Sequence, residues 1–212
     1  MLRIPAIKGL YAITPDCADT PSLLRKVRLV LEGGASVLQY RSKMADESLR
    51  SAQAQALRTL THEFAVPLII NDDVHLAGQV EADGVHLGEA DASLATARAV
   101  LGQGKIIGVS CYNRLPLAQE AVASGADYVA FGAFFPSTVK PGAVAANIEL
   151  LHQARELGVP LVAIGGITAI NGATLVQAGA DALAVISALF DAADIRAVAQ
   201  DFSKLFSQDF AS

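Results

Sequence analysis

The segment Gln39-Tyr40-Arg41-Ser42-Lys43 sets an amide and two cations at every second position. In an extended strand alternate side chains share a face, so Gln39, Arg41 and Lys43 would point together. A guanidinium fork beside an ammonium charge suits a phosphate or diphosphate. Two acidic segments follow, Asn71-Asp72-Asp73 and Glu89-Ala90-Asp91. Carboxylates from these two segments would share a hard divalent cation, most readily Mg²⁺, which takes one or two carboxylates and completes its shell with phosphate oxygens. Asp73 and Asp91 stand where helix N-caps are expected, with Ser93 an equally suitable cap beside Asp91.

Further along, Gly108-Val109-Ser110 brings a hydroxyl with no Ser-His-acid arrangement around it, so Ser110 reads as a hydrogen-bonding group rather than a nucleophile. Cys111 should point the opposite way, as a small buried residue. Residues 135–142 place Ser137, Thr138 and Lys140 between Pro136 and Pro141, a loop able to fold over a ligand and bring Lys140 to an anion. Gly165-Gly166-Ile167 and Ile186-Ser187-Ala188 offer main-chain amides for a second phosphate. His62, His75, His86 and His152 read as structural. Two anion sites imply two phosphorylated substrates.

Those groups need a frame that brings them to one place. Eight short apolar runs, at 9–14, 36–42, 67–72, 84–88, 105–110, 128–135, 160–165 and 182–187, alternate with stretches of helical period. The helices are expected at 21–32, 46–63, 74–79, 93–101, 115–124, 147–157, 169–177 and 195–206. Several runs are apolar on both faces, which fits a parallel sheet covered by helices. The phrases Gly34-Ala35-Ser36, Glu81-Ala82-Asp83, Gly125-Ala126-Asp127 and Gly179-Ala180-Asp181 precede the second, fourth, sixth and eighth runs. A signal at every second strand predicts a repeated βαβα module and hence a (β/α)₈ TIM barrel. At about 26 residues per unit the 212 residues are consumed, so one domain over 1–212 is expected. In such a barrel the C-terminal strand ends carry the chemistry, and every candidate above lies at one.

The remaining composition narrows the function classes. A formal net charge of −5 gives no general attraction to nucleic acid or an anionic membrane. No apolar stretch approaches the roughly 18 residues of a spanning helix, and no signal peptide is evident. Cys17 and Cys111 have neither metal-ligand spacing nor a disulfide framework, so free thiols and a cytoplasmic location are expected. Twofold symmetry is the commonest, which makes a homodimer the default.

The ordered motifs Gln39-Tyr40-Arg41-Ser42-Lys43, Asn71-Asp72-Asp73-Val74, Gly84-Val85-His86-Leu87-Gly88, Gly108-Val109-Ser110, Phe135-Pro136-Ser137 through Lys140-Pro141, and Ala163-Ile164-Gly165-Gly166-Ile167 resemble those of the thiamine-phosphate synthase family. The resemblance implies a transferase that condenses hydroxymethylpyrimidine diphosphate with hydroxyethylthiazole phosphate, giving thiamine phosphate and diphosphate. It also implies that Gln39, Arg41, Lys43, Asn71 and Lys140 hold the pyrimidine diphosphate and that Asp72 and Asp91 hold Mg²⁺. Ser110 would lie by the reacting groups, and Ser137, Gly166, Ile186 and Ser187 around the thiazole phosphate. Lys43, Ser110 and Lys140 are thereby the expected catalytic residues. Three departures stand out: Val139 replaces a Thr common in the family, Tyr112 a His, and Glu89-Ala90-Asp91 varies on the usual Gln-Glu-Asp. The alternatives are a thiazole tautomerase-like paralogue, whose strand-five His is absent here, and a phosphate-binding barrel without turnover.

Overall fold

The computed structural model describes residues 7–136 and 145–207. Each expected apolar run holds all or most of a strand: β1 (Gly9–Ile13), β2 (Val37–Tyr40), β3 (Leu68–Asn71), β4 (Gly84–Leu87), β5 (Ile106–Tyr112), β6 (Tyr128–Phe131), β7 (Leu161–Ile164) and β8 (Ala182–Val185). Between and after them lie α1 (Thr20–Glu32), α2 (Glu47–Glu63), α3 (Val74–Gln79), α4 (Leu94–Leu101), α5 (Leu115–Ala123), α6 (Glu149–Ala154), α7 (Ala169–Gln177), α8 (Ser187–Phe190) and α9 (Ile195–Lys204). All neighbours pair in parallel, and β1 closes on β8 with Gly9 opposite Ala182 and Tyr11 opposite Ala184. The protein is a (β/α)₈ barrel.

Two cores follow from strand alternation. Leu10, Leu38, Ile70, Val85, Ile107, Val129 and Leu183 face outward and join the helices in one cluster. Tyr11, Ile13, Val37, Ile69, Ile106, Tyr128, Val162 and Ala182 face inward and fill the barrel. With no Trp in the chain, the outer layer is built mainly from Ala, Val, Leu and Ile with a few Phe, which lets helices sit close on the sheet.

The recurrent acidic phrase has a defined task. Asp83, Asp127 and Asp181 each stand just before a strand and accept a main-chain N–H from the preceding one: Leu68, Ile107 and Leu161, at 2.8, 2.7 and 2.8 Å. Arg58 and Arg98 pair with the first two of these carboxylates. The repeat therefore pins the N-terminal rim of the barrel, opposite the expected chemistry, and satisfies amides that strand pairing leaves free.

The boundaries differ in ways that matter for the site. Strand β2 ends at Tyr40, so Arg41, Ser42 and Lys43 lie in the following loop and not on one strand face. Strand β5 runs on to Tyr112 through an irregularity between Ser110 and Tyr112. Strand β6 stops at Phe131, and Ser187 opens the short helix α8 rather than ending a strand. Asp73 and Ser93 cap α3 and α4, whereas Asp91 is not a cap, its carboxylate accepting the Gly88 N–H instead. Among the described residues no helix is long and apolar enough to cross a membrane.

Candidate active site at the C-terminal rim

A cavity of about 770 Å³ opens at the C-terminal rim. Among the described residues its wall includes Gln39 and Arg41 from the β2 side, Asn71 and His86 from β3 and β4, and Ser110 from β5. Gly166, Ile186 and Ser187 line the β7–β8 side. A smaller lobe of about 330 Å³ lies further out, lined by Ser42, Lys43, Arg50, Asn71, Asp72 and His75 among others. Asn71 borders both. The expected residues therefore converge on one rim, but Lys43 faces the outer lobe while Gln39 and Arg41 face the central cavity. The expected shared face of those three is corrected, because an extended strand is needed for alternation and β2 has already ended. Ser137 and Lys140 fall outside the described residues.

The floor of the central cavity is a chain of hydrogen bonds that crosses the barrel interior from β2 to β5. Gln39 Nε2 donates to Tyr11 Oη at 2.9 Å, and Tyr11 and Tyr128 hydroxyls meet at 2.8 Å. Tyr128 Oη lies 2.8 Å from His86 Nδ1, and His86 Nε2 lies 2.8 Å from Ser110 Oγ. One sense of donation gives every buried proton an acceptor. Starting from the Gln39 amide, Tyr11 donates to Tyr128, Tyr128 to Nδ1, and the Nε2–H tautomer of His86 to Ser110. The serine proton is then left to point into the cavity.

Burial supports this assignment by keeping each member neutral. It pushes the His86 pKa down to about 4, with Asp91 opposing slightly, and raises both tyrosines well above their ordinary value. Gly108 makes the chain sterically feasible. A Cβ there would fall 1.9 Å from Tyr128 Cζ, so the bare glycine is what lets the phenol ring lie between His86 and Tyr11.

The acidic rim is built by strain and a close pair. Asp72 has φ 64, and Asp73 N–H closes a three-residue turn onto the Asn71 carbonyl at 2.7 Å, a rare and strained arrangement for a non-glycine residue. Burial first, and then the facing carboxylate of Asp91, push the Asp72 pKa up to about 6, while Lys43 pulls it down. Asp91 Oδ2 also accepts the Gly88 N–H at 2.6 Å. A carboxylate facing Asp72 and opposing its ionisation fits a hard divalent cation, which would remove the repulsion. No group of three or more His, Cys, Asp or Glu suited to a metal occurs among the described residues, so further ligands would be water or phosphate oxygens.

Sequence reasoning missed several contributors. Asp16, in the loop after β1, accepts from Lys43 N at 2.5 Å and Met44 N at 3.1 Å and lies 3.7 Å from the Arg41 guanidinium. It thereby shapes the cationic loop from a different strand. Tyr11 and Tyr128 had an available signal, since buried phenols at inward positions need partners. His86, expected to be structural, belongs to the cavity wall. Tyr112 also lines it, at φ 55, with the Arg114 guanidinium 5.4 Å from its ring centre. Cys111 is buried and its thiol pushed up to about 12, as its expected inert role requires.

On the opposite side of the same rim, Gly165 and Gly166 have φ 103 and 61. A Cβ on Gly166 would meet Pro136 O at 2.3 Å and Phe135 O at 2.7 Å, so the close approach of the two loops depends on glycine. Asn171 Nδ2 donates to Gly166 O at 3.1 Å and completes the N-terminal box of α7 with Thr168, which fixes this turn.

Residues 10–189 match the family described as thiamine monophosphate synthase. The chain is 58% identical over 204 residues to a thiamine-phosphate synthase of Methylobacillus flagellatus, covering 96% of this chain and 98% of that protein. It is 52% identical over 202 residues to one of Thiobacillus denitrificans, covering 95% and 96%. Among solved structures, a thiamine phosphate pyrophosphorylase of Pyrococcus furiosus superposes with a TM-score of 0.85 at 34% identity, covering 96% of this chain and 97% of that one.

Proposed function

This chain belongs to the thiamine monophosphate synthase family, and we propose that its rim holds a pyrimidine diphosphate on the β2–β4 side and a thiazole phosphate on the β7–β8 side. The activity is that of a thiamine-phosphate synthase, a transferase that releases diphosphate. It condenses hydroxymethylpyrimidine diphosphate with hydroxyethylthiazole phosphate to give thiamine phosphate. The observation that carries the arrangement is the central cavity, with a glycine turn on one side and Asn71 on the other, where it adjoins an outer lobe lined by Lys43 and Asp72.

In this reading Arg41, Lys43 and Asn71 bind the diphosphate, and Lys140 joins them. Asp72 and Asp91 would hold Mg²⁺, which when bound supplies Lewis-acid stabilisation of the departing diphosphate. Arg41 and Lys43 offset charge that accumulates as the bond from the pyrimidine methylene to oxygen breaks. Gln39 and Ser110 orient the pyrimidine, the latter with its free hydroxyl proton. Ser137 and the main chain around Gly166, Ile186 and Ser187 hold the thiazole phosphate, so that the ring nitrogen is positioned to attack the methylene. Carbon–oxygen cleavage is followed by carbon–nitrogen formation, and no covalent enzyme intermediate is needed.

The same reading has the protein act on small molecules in the cytoplasm, as a homodimer, without nucleic acid or membrane. Its net charge of −5 and its two free cysteines accord with that. A tautomerase or a binding-only barrel would leave the paired carboxylates beside Lys43 without a task. The test is to supply both substrates with Mg²⁺ and follow thiamine phosphate and diphosphate together, with and without EDTA. Equal, metal-dependent formation of both is the expected result; thiazole-phosphate binding without product would refute it.

A further inference from the structure

Ten arginines occur in the sequence, and nine lie among the described residues. Eight of those nine have a protein partner. Arg25, Arg28, Arg41, Arg58, Arg98, Arg114 and Arg196 face carboxylates, and Arg155 donates to the Gln177 carbonyl. Arg50 is the exception. In the first turns of α2, its Nε is buried with no hydrogen-bond partner, the one such side-chain atom among the described residues. A guanidinium N–H removed from bulk water without an acceptor costs free energy, and that cost disappears if an anion reaches it.

The surroundings say which anion. Arg50 lines the 330 Å³ outer lobe together with Lys43, Ser42 and Asn71. The carboxylates in that lobe are otherwise engaged: Asp73 accepts the Leu76 N–H at 2.9 Å, and Asp72 faces Asp91. Asn71 joins the lobe to the central cavity, whose inner wall of Tyr11, Tyr128, Ile13 and Val162 suits rings rather than phosphates. A substrate with its ring in the central cavity would pass its diphosphate over Asn71 and leave the terminal phosphate outermost.

We propose that Arg50 is a further binding residue of this enzyme, gripping the terminal phosphate of the pyrimidine diphosphate, and of the diphosphate product, in the outer lobe beside Lys43. The inference rests on the diphosphate reading above. It assigns a cation that the strand-end motifs did not single out, one contributed by a helix rather than by a loop at a strand end.

The experiment uses the full chain and inorganic diphosphate as the probe, titrated calorimetrically with and without Mg²⁺, alongside steady-state kinetics. Arg50→Met keeps the length of the stem and removes the donors. Its diphosphate Kd and its KM for the pyrimidine substrate should both rise about tenfold or more, as expected for loss of a charge-assisted hydrogen bond. The KM for thiazole phosphate should stay at the parent value and the Tm should not fall, because the lost group had no protein partner and its burial was unfavourable. Arg50→Lys should recover part of the affinity. Diphosphate affinity within about twofold of the parent in Arg50→Met overturns the proposal, as does a lowered Tm with both substrates affected alike. If Arg50→Met does not fold, Arg50→Lys decides, and unchanged diphosphate affinity there overturns it. A parent enzyme that makes no thiamine phosphate would refute the functional reading; a parent that turns over beside an unaffected Arg50→Met refutes only the role of Arg50.

Discussion

His86 Nε2 stands 2.8 Å from Ser110 Oγ on the neighbouring strand, and through that contact the serine is tied to a glutamine on the other side of the barrel. The connection runs through two tyrosines whose rings pack edge to face at 6.0 Å, with His86 stacked on the second at 5.6 Å. Ser110 is thus oriented by side chains of the barrel interior as well as by its own strand.

Tyr128→Phe removes both hydrogen bonds of the central hydroxyl and should lower kcat about 10- to 100-fold, and Ser110→Ala by a similar amount. Because both act through one chain, the double variant should be no more than about twofold slower than the slower single one. Multiplying losses, measured as kcat at saturating substrates, would show the residues to be independent.

His86 should titrate near 4 rather than at its ordinary 6.5, so no limb of the pH–rate profile between pH 6 and 8 belongs to it. The sign for stability follows from the depressed value. Below about 6.5 the unfolded chain takes up the proton first, so this contribution is complete above 6.5 and is lost as pH falls through about 4. Ring-proton NMR and unfolding curves over that range check both statements.

Asp72 has the opposite sign. Its carboxyl is raised from 3.8 to about 6, so without metal its contribution to stability falls as pH rises between those values. Mg²⁺ should therefore raise the Tm more at pH 7.5 than at pH 5. Asp72→Asn should abolish that difference and reduce product formation by about 100-fold or more, on the scale of removing a group that stabilises transition-state charge. Thermal melts with and without Mg²⁺ give the first result and turnover the second.

Gly108→Ala places a methyl group 1.9 Å from the Tyr128 ring, so the ring must move and the chain must break. A loss of about 1–3 kcal/mol in stability is expected from overpacking, together with a fall in kcat like that of Tyr128→Phe. Urea unfolding and kinetics measure the two effects separately.

Gly166→Ala meets the carbonyls of Phe135 and Pro136 and adopts a φ of 61 at an energetic cost. The loops should separate, raising the KM for thiazole phosphate severalfold while leaving the affinity for inorganic diphosphate unchanged. A parallel change in both would place the turn's influence beyond its own side of the rim.

Much of this protein is legible in order along the chain. Strand alternation, helix caps such as Asp73 and Ser93, and the recurrent Asp before alternate strands depend on neighbours a few residues apart, so eight βα units and their chemically active ends could be read directly. Family motifs named Gln39, Asn71, Ser110 and Gly166, and these meet at one cavity. Closure into a barrel decided what the sequence could not. It set Tyr11 against Tyr128, separated by 117 residues, so that a polar chain crosses the interior. It brought Asp16 to the loop of Lys43, and Asp72 to Asp91, where proximity rather than residue type changes the cost of ionisation. It also left Arg50 buried without a partner. Periodicity records which face a side chain takes, but hydrogen bonding, desolvation and charge repulsion act across strands, and only the closed barrel fixes those distances.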